Sequence, residues 1–286
     1  MISIRTYSFA AFFGVGVVPL LVLAVGLSYD LHRGAVRDAR DHLTMVTTEV
    51  SERIGEIMGG IEKDLSSLQS NPIFRNPESS KANRGAEMDR LLRIYEQFHD
   101  LAFYTPEGNL VSATNVYLED PAPYREYTSW FRTAVTTGER TVSRPTRRLG
   151  IEGLFAVVYL PIEKDRETNV PLGVIRASVR FDKVIDMLAE VDLGKDGQLI
   201  LIDENGLVLH QRQPGSTLER FSDPAVWDQW RSARSGRCAM AGENWMFADQ
   251  VLLKEQTRVG VKWFLIGLLS EAEVLGSVES ARNMMA

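Results

Sequence analysis

The chain has 286 residues, of which 44% are hydrophobic and 24% are charged, and these proportions exclude a disordered protein. The net charge of −6 excludes a nucleic-acid-binding protein that relies on an overall basic field. The single cysteine, Cys238, excludes an internal disulfide and a cysteine-rich metal site.

The first feature along the chain is an uncharged stretch, from Thr6 to Tyr29. Its apolar centre, residues 9–27, holds roughly 20 residues, enough to span a hydrocarbon core of about 30 Å. A cleavable signal peptide, the alternative, has a shorter apolar region of about 7–15 residues. We therefore predict an uncleaved N-terminal transmembrane anchor in residues 1–30. Arginines flank the stretch on both sides, so charge alone does not fix its orientation.

A long stalk helix is predicted over residues 31–70, because apolar residues recur there at steps of three and four. The stripe consists of Leu43, Val46, Val50, Ile54, Ile57, Ile61, Leu65 and Leu68. Two roles are open for this stripe: packing on the rest of its own chain, or forming the seam of a parallel dimer. We expect a homodimer through the stalk. Asn71-Pro72 ends the helix.

Short strands separated by turns dominate the remaining sequence, after a helix predicted over Met88–His99. In residues 71–191 the strands are predicted at Leu101–Thr105, Leu110–Thr114, Thr141–Ser143, Leu154–Pro161 and Leu172–Phe181, followed by a helix from Asp182 to Val191. In residues 192–286 they are predicted at Gln198–Asp203, Gly206–His210, Trp245–Leu253 and Thr257–Leu269, with a helix over Pro224–Ala233. A last helix starts at Ser270-Glu271-Ala272-Glu273, which has the spacing of a capping box.

The two strand-rich blocks repeat each other. Each contains a strand that enters a turn with an acidic residue and a glycine and then leaves as another strand, and Gly206 lies 98 residues after Gly108. The repeat predicts an α+β protein with two similar modules in tandem.

Residues 193–210, LGKDGQLILIDENGLVLH, resemble the opening of the second module of a double Cache (dCache) sensor domain, as found in bacterial transmembrane receptors. The first block is similar to the same family at Trp130-Phe131-Arg132-Thr133-Ala134 and at Pro171-Leu172-Gly173-Val174-Ile175, in the family's order. The resemblance covers about residues 30–280.

The resemblance implies two PAS-like (Cache) modules with antiparallel sheets on the stalk, residues 71–191 being membrane-distal and residues 192–286, with the C-terminal helix, membrane-proximal. It implies a single-pass protein of the cell inner membrane whose bulk is periplasmic, with a small ligand bound in the distal module. Such domains are found in front of chemoreceptors, histidine kinases and cyclic-dinucleotide enzymes.

One departure from the family bears on the ligand. Amino-acid-binding members have an Arg, an Asp-Pro pair and a late Asp where this chain has Thr128, Arg144-Pro145 and Ser178. Both carboxylates that would hold an ammonium group are missing. The resemblance therefore implies an organic acid in preference to an amino acid.

The residues themselves also indicate an anionic ligand. Between Tyr124 and Arg148 there are six arginines and two glutamates, and the arginine fork suits carboxylate or phosphate. Strand alternation puts Arg176 and Ser178 on the face opposite the apolar side chains. The candidate ligand-binding residues are Tyr104, Tyr127, Trp130, Arg144, Tyr159, Arg176 and Ser178. The alternative is a solvated basic loop.

We predict the ligand-sensing part of a longer receptor, with no catalytic residues, no metal site and no cofactor. No Walker loop, nucleophile elbow or dinucleotide fingerprint is present in the sequence. His99-Asp100 resembles the dipeptide of metal phosphohydrolases but lacks further histidines. One alternative is a complete membrane-anchored periplasmic accessory protein that binds a partner protein. A second is an anchored hydrolase.

Overall fold

The computed structural model describes residues 18–114, 129–148, 151–164, 170–212, 218–252 and 262–276. The helices are α1 (Val18–Ser70), α2 (Pro72–Arg75), α3 (Lys81–Ile94), α4 (Ser129–Thr137), α5 (Asp182–Glu190) and α6 (Pro224–Ser232), and residues 271–276 are also helical. The strands are β1 (Phe98–Tyr104), β2 (Leu110–Ala113), β3 (Thr141–Val142), β4 (Thr146–Arg148), β5 (Ile151–Lys164), β6 (Pro171–Arg180), β7 (Gln198–Asp203), β8 (Val208–His210), β9 (Ser235–Met240), β10 (Glu243–Leu252) and β11 (Trp263–Ser270).

Helix α1 is continuous over 53 residues and packs against both sheets of the molecule. Of the predicted stripe, Val46 and Ile57 are only half-buried, and Met58 is buried beside Ile57. The buried apolar side chains of α1 recur at steps of three to seven residues: Leu43, Val50, Ile54, Met58, Ile61, Leu65 and Leu68. They belong to one hydrophobic cluster that also includes residues of both sheets. Packing of the stalk on its own chain, one of the two predicted roles of the stripe, is therefore confirmed. The homodimer stays a prediction.

The first sheet, formed by β1–β6, is antiparallel and has the strand order β2-β1-β6-β5-β3, with β4 paired to β5. Alternation along β6 sends Ile175, Ala177 and Val179 into the cluster that contains α1. Arg176 and Ser178 therefore lie on the opposite face, as the sequence predicts.

The second sheet, formed by β7–β11, is also antiparallel and has the order β8-β7-β11-β10-β9. The order repeats that of the first sheet, except that β4 has no counterpart. The turns that begin both sheets match as well: Gly108 N donates to Thr105 O at 2.9 Å, and Gly206 N donates to Asp203 O at 3.0 Å. Both glycines have a positive φ, which glycine adopts without steric cost. The predicted α+β fold of two similar modules is confirmed.

The structure bears on two predicted helix boundaries. The helix predicted over Met88–His99 is wrong at both ends, since α3 begins at Lys81 and ends at Ile94, and Phe98 already pairs with Val179 in the first sheet. A turn intervenes, in which Phe98 N donates to Tyr95 O at 3.1 Å. The last helix is described only over residues 271–276.

The predicted transmembrane segment begins before the first described residue, Val18. Among the helices that the structure describes, none has an apolar stretch long enough to cross a membrane.

Candidate functional site

A charged pair and a hydroxyl lie on the face of the first sheet that points away from α1. Arg176 Nη1 donates a hydrogen bond to Asp100 Oδ1, and Ser178 Oγ donates to the same oxygen at 3.1 Å. All three residues are buried, with at most 1% of their surface exposed. We call Asp100, Arg176 and Ser178 the polar cluster. Buried charges are costly unless they are paired, so the pairing explains how this face holds two of them.

The strand register brings the polar cluster together. Asp100 of β1 stands opposite Ser178 of β6, and Ala102 stands opposite Arg176. On the other side of β6, Tyr159 of β5 is the partner of Arg176. Side chains directly opposite each other on one face of a sheet have Cβ atoms about 4.5–5.5 Å apart, so these groups share one patch.

Aromatic side chains form the neighbouring part of the same face. The Phe131 ring lies edge-on to Tyr104 and to Tyr159, with centroid distances of 6.0 Å and 5.9 Å. Phe131 comes from α4, which packs over β5 and β6 and brings Trp130 to the same cluster. Thr141 Oγ1 donates to Trp130 O at 2.7 Å and so ties β3 to α4. This face therefore combines aromatic side chains with the polar cluster, and such a combination is the usual composition of a small-molecule site.

The structure brings together five of the seven predicted site residues. Tyr104, Trp130, Tyr159, Arg176 and Ser178 all lie on this face. Arg144 is exposed, in the connection between β3 and β4. Tyr127 lies outside the described residues, as does the rest of segment 115–128, which joins β2 to α4.

Sequence reasoning missed Asp100 and Phe131. Asp100 lies between the helix predicted to end at His99 and the strand predicted to begin at Leu101, and it enters the sequence analysis only through the His99-Asp100 dipeptide. Its position one residue before the apolar Leu101 nevertheless fits strand alternation. Phe131 is recognisable in the sequence only as part of the family motif, although its ring packs between Tyr104 and Tyr159.

The charges of the polar cluster balance each other. Arg176 supplies a guanidinium, whose planar fork matches a carboxylate, and Asp100 supplies a carboxylate beside it. A ligand that reaches this patch therefore meets a cation and an anion together. No group of three His, Cys, Asp or Glu side chains able to hold a metal occurs in the described part of the chain.

The corresponding face of the second sheet is apolar. Gln198 and Leu268 pair there as Asp100 and Ser178 do in the first sheet, and Ile266, the partner of Ile200, takes the place of Arg176. Helix α6 covers this face with Trp227 and Trp230. The two repeated sheets therefore differ in chemistry on the face turned away from α1.

Asp249 of β10 is a buried acidic residue of the second sheet. It is 3% exposed, and its Oδ1 atom has no hydrogen-bond partner among the described residues. Burial raises the pKa of its carboxyl to about 7, against the opposing effect of Arg234 and Lys262.

Two clefts lie away from the polar cluster. One, of about 260 Å³, runs between α1 and α5 and includes Gly60, Arg180 and Val184 in its lining. The other, of about 360 Å³, lies where the end of α5 meets the second sheet, beside Gln198 and His210. Burial lowers the pKa of the His210 imidazole, which favours its neutral form.

A family model described as "Cache domain" matches residues 31–278 of the chain. No curated protein is matched. Among solved structures, the chain is similar to the ligand-binding domain of the Pseudomonas fluorescens chemoreceptor CtaA in complex with L-isoleucine, with a TM-score of 0.63 and 14% identity. The similarity covers 86% of this chain and 98% of that domain.

Two further structures have the same fold. The ligand-binding domain of the Pseudomonas aeruginosa amino acid chemoreceptor PctC, in complex with GABA, gives a TM-score of 0.63 at 16% identity over 80% of this chain and 99% of that one. A domain of a Vibrio parahaemolyticus sensory box/GGDEF family protein gives a TM-score of 0.60 at 14% identity over 84% of this chain and 99% of that one. At these identities the likeness establishes the fold and not the ligand.

Proposed function

Since the chain belongs to the Cache domain family, we propose that it is the extracytoplasmic ligand-sensing region of a bacterial transmembrane receptor. The observation that carries the proposal is the difference between the two sheets. The same topology bears a buried polar cluster on the first sheet and an apolar, tryptophan-covered face on the second. We therefore assign ligand binding to residues 71–191, as the membrane-distal module, and a supporting role to residues 192–286.

The ligand that we propose is a small molecule with a carboxylate group, an organic acid in preference to an amino acid. Arg176 offers the matching fork, and Tyr104 and Tyr159 add ring faces and hydroxyls on the same side of the sheet. Asp100 disfavours a ligand that carries only a negative charge, because its carboxylate already balances the charge of Arg176. A ligand with a hydrogen-bond donor near its carboxylate suits the pair better than a bare anion does.

The membrane attachment of the receptor is supported by the first described turns of α1. Several apolar side chains there are exposed, with Leu20, Leu23 and Val25 each more than 65% exposed. An apolar surface of this kind is disfavoured in water and suits a lipid or protein environment. We propose that these residues end a single span, with the bulk of the chain in the periplasm.

A route from the site to the stalk is available through α4. The chain leaves α4 at Thr137 and reaches Arg140, whose Nη1 atom lies 2.5 Å from Glu62 Oε2 of α1. A ligand that holds α4 differently would bias the position of this contact. For that shift to be a signal, the ligand must bind the two arrangements with different affinity.

The proposal is tested by thermal unfolding of the whole chain in detergent against mono- and dicarboxylic acids, α-amino acids and γ-aminobutyric acid. A true ligand at 100 times its Kd stabilises the folded state by about 2.7 kcal/mol. Arg176→Lys keeps the charge and removes the fork, so we expect it to abolish the response. Arg180→Lys is the matched control, since Arg180 lies four residues further along on the same face of β6 and is partly exposed.

Loss of the response in Arg176→Lys with retention in Arg180→Lys supports the site. An equal response in both variants, or no response to any carboxylate, contradicts it. A response confined to compounds with an ammonium group would keep the carboxylate site and overturn the preference for an organic acid.

A further inference from the structure

The segment between α5 and β7 is held from two sides. We call residues 192–197 the linking segment, because they connect the helix that follows the first sheet to the first strand of the second. On one side, the carboxylate of Glu273 accepts hydrogen bonds from the backbone N–H of Lys195 at 2.8 Å and of Asp196 at 3.0 Å. On the other, Arg212 Nη1 donates to Gly197 O at 3.0 Å.

The backbone of the linking segment is shaped for this carboxylate. Gly194 has a φ of +94°, and a Cβ atom at this position would lie 2.6 Å from Glu273 Oε1. Asp192 Oδ1 accepts from Gly194 N at 2.9 Å and fixes the preceding turn. Consecutive N–H groups in such a turn form a concave anion site, and here the protein fills it with its own side chain.

Glu273 belongs to the helix that starts after β11. The capping-box spacing predicts that its carboxylate returns to the N–H of Ser270, but the carboxylate instead reaches across to the linking segment. Glu271, two residues earlier, contacts a different element, because its Oε1 atom lies 2.5 Å from Arg237 Nε of β9. The first turn of this helix is therefore attached to two separate parts of the molecule.

We propose that Glu273 couples α5 and the linking segment to the start of the C-terminal helix. We call its two hydrogen bonds to Lys195 and Asp196 the clasp. A displacement of α5 then reaches this helix through two hydrogen bonds, without rearrangement of the second sheet. The clasp would carry a signal only if the proposed sensor function holds, but its existence is tested without any ligand.

The test measures the distance between α5 and the C-terminal helix in the full chain. Spin labels are attached to cysteines introduced as Asp186→Cys and Gly276→Cys, both at exposed positions, with Cys238→Ala as the background. We expect a narrow distance distribution that broadens in Glu273→Gln. The amides of Lys195 and Asp196 should then exchange with solvent about tenfold faster. Glu271→Gln, which removes the contact to β9, is the matched control and should leave both observables unchanged.

A second pair of variants tests whether a broader distance distribution comes from loss of the clasp or from destabilisation of the fold. Gly194→Ala pushes the Glu273 carboxylate away and should broaden the distribution as Glu273→Gln does. Gly206→Ala places a residue at another positive φ in the same half of the chain but does not touch the C-terminal helix, so the distribution should stay narrow. Unchanged distances in Glu273→Gln, or equal broadening in Glu271→Gln, would overturn the proposal. Failure to bind any carboxylate would contradict the proposed ligand-binding site and leave the clasp standing.

Discussion

Arg176 of β6 and Asp100 of β1 form a buried ion pair, with side chains that are 2% and 1% exposed. The rest of β1 and β6 contributes mainly apolar side chains to the core. Removal of either partner leaves the other buried without this ion pair, which is a costly change.

We expect Asp100→Asn and Arg176→Gln each to lower the free energy of unfolding by about 3–5 kcal/mol. The double variant should lose less than the sum of the two, because it leaves no unpaired charge. Chemical denaturation of the four proteins of this cycle checks the coupling. Lys183→Gln breaks the exposed pair between Lys183 and Glu96, 3.5 Å apart, and serves as a control that should unfold as the parent does. Additive losses would show that the buried pair is not coupled.

Asp249 should make stability depend on pH. Its carboxyl has a pKa of about 7 in the folded chain and an ordinary value of 3.8, so the folded state binds the extra proton between these values. Stability therefore falls as the pH rises from about 4 to 7 and stays low above that. Asp249→Asn should remove this fall and be more stable than the parent at pH 8, by about 1–3 kcal/mol. Glu243→Gln, at an exposed position of the same strand, should leave the pH profile unchanged.

Gly267 allows α1 to approach the second sheet. A Cβ atom at this position of β11 would lie 2.8 Å from Leu43 Cδ1 and would also collide with Thr47. We expect Gly267→Ala to destabilise the chain by about 1–3 kcal/mol in thermal unfolding. Gly59→Ala is the opposite case, since its Cβ would meet nothing within 4 Å and the residue lies in the interior of α1. It should stabilise the chain by about 0.5–1 kcal/mol. A neutral Gly267→Ala would show that the stalk can move away without loss.

The contact between Arg140 and Glu62 should fix the turn after α4 onto the stalk. We expect Arg140→Gln to lower stability by no more than about 1 kcal/mol, because both side chains keep some access to water. Hydrogen exchange should rise in residues 138–142 and in the turn of α1 around Glu62. Arg132→Gln, at an exposed position of α4, is the control. Unchanged exchange in Arg140→Gln would remove α4 as a route to the stalk.

Much of the fold follows from patterns within single segments. The stripe on α1 and the alternation along β6 are set by burial on one side of one element, and both were predictable from spacing. The repeat was visible because its two glycine turns need the same backbone geometry. The end of α3 was not predictable from the local pattern, because Phe98 belongs to a strand that pairs with Val179, 81 residues later.

The candidate site was less predictable, for a related reason. Arg176 and Ser178 were found from alternation, but their partner Asp100 belongs to a strand 76 residues earlier, and no local pattern connects the two. The capping-box spacing at Glu273 was misleading in the same way. A carboxylate at that position has two competing sets of N–H donors, and only the folded structure shows that the distant set binds it.

One long helix completes the cores of both sheets, so neither core is whole without it. If α1 leaves one sheet, it exposes apolar side chains of that sheet and of the helix itself, and it also loses the fixed position from which it packs on the other sheet. The two repeats should therefore melt in one cooperative transition, with equal calorimetric and van't Hoff enthalpies, despite their separate hydrogen-bonded sheets.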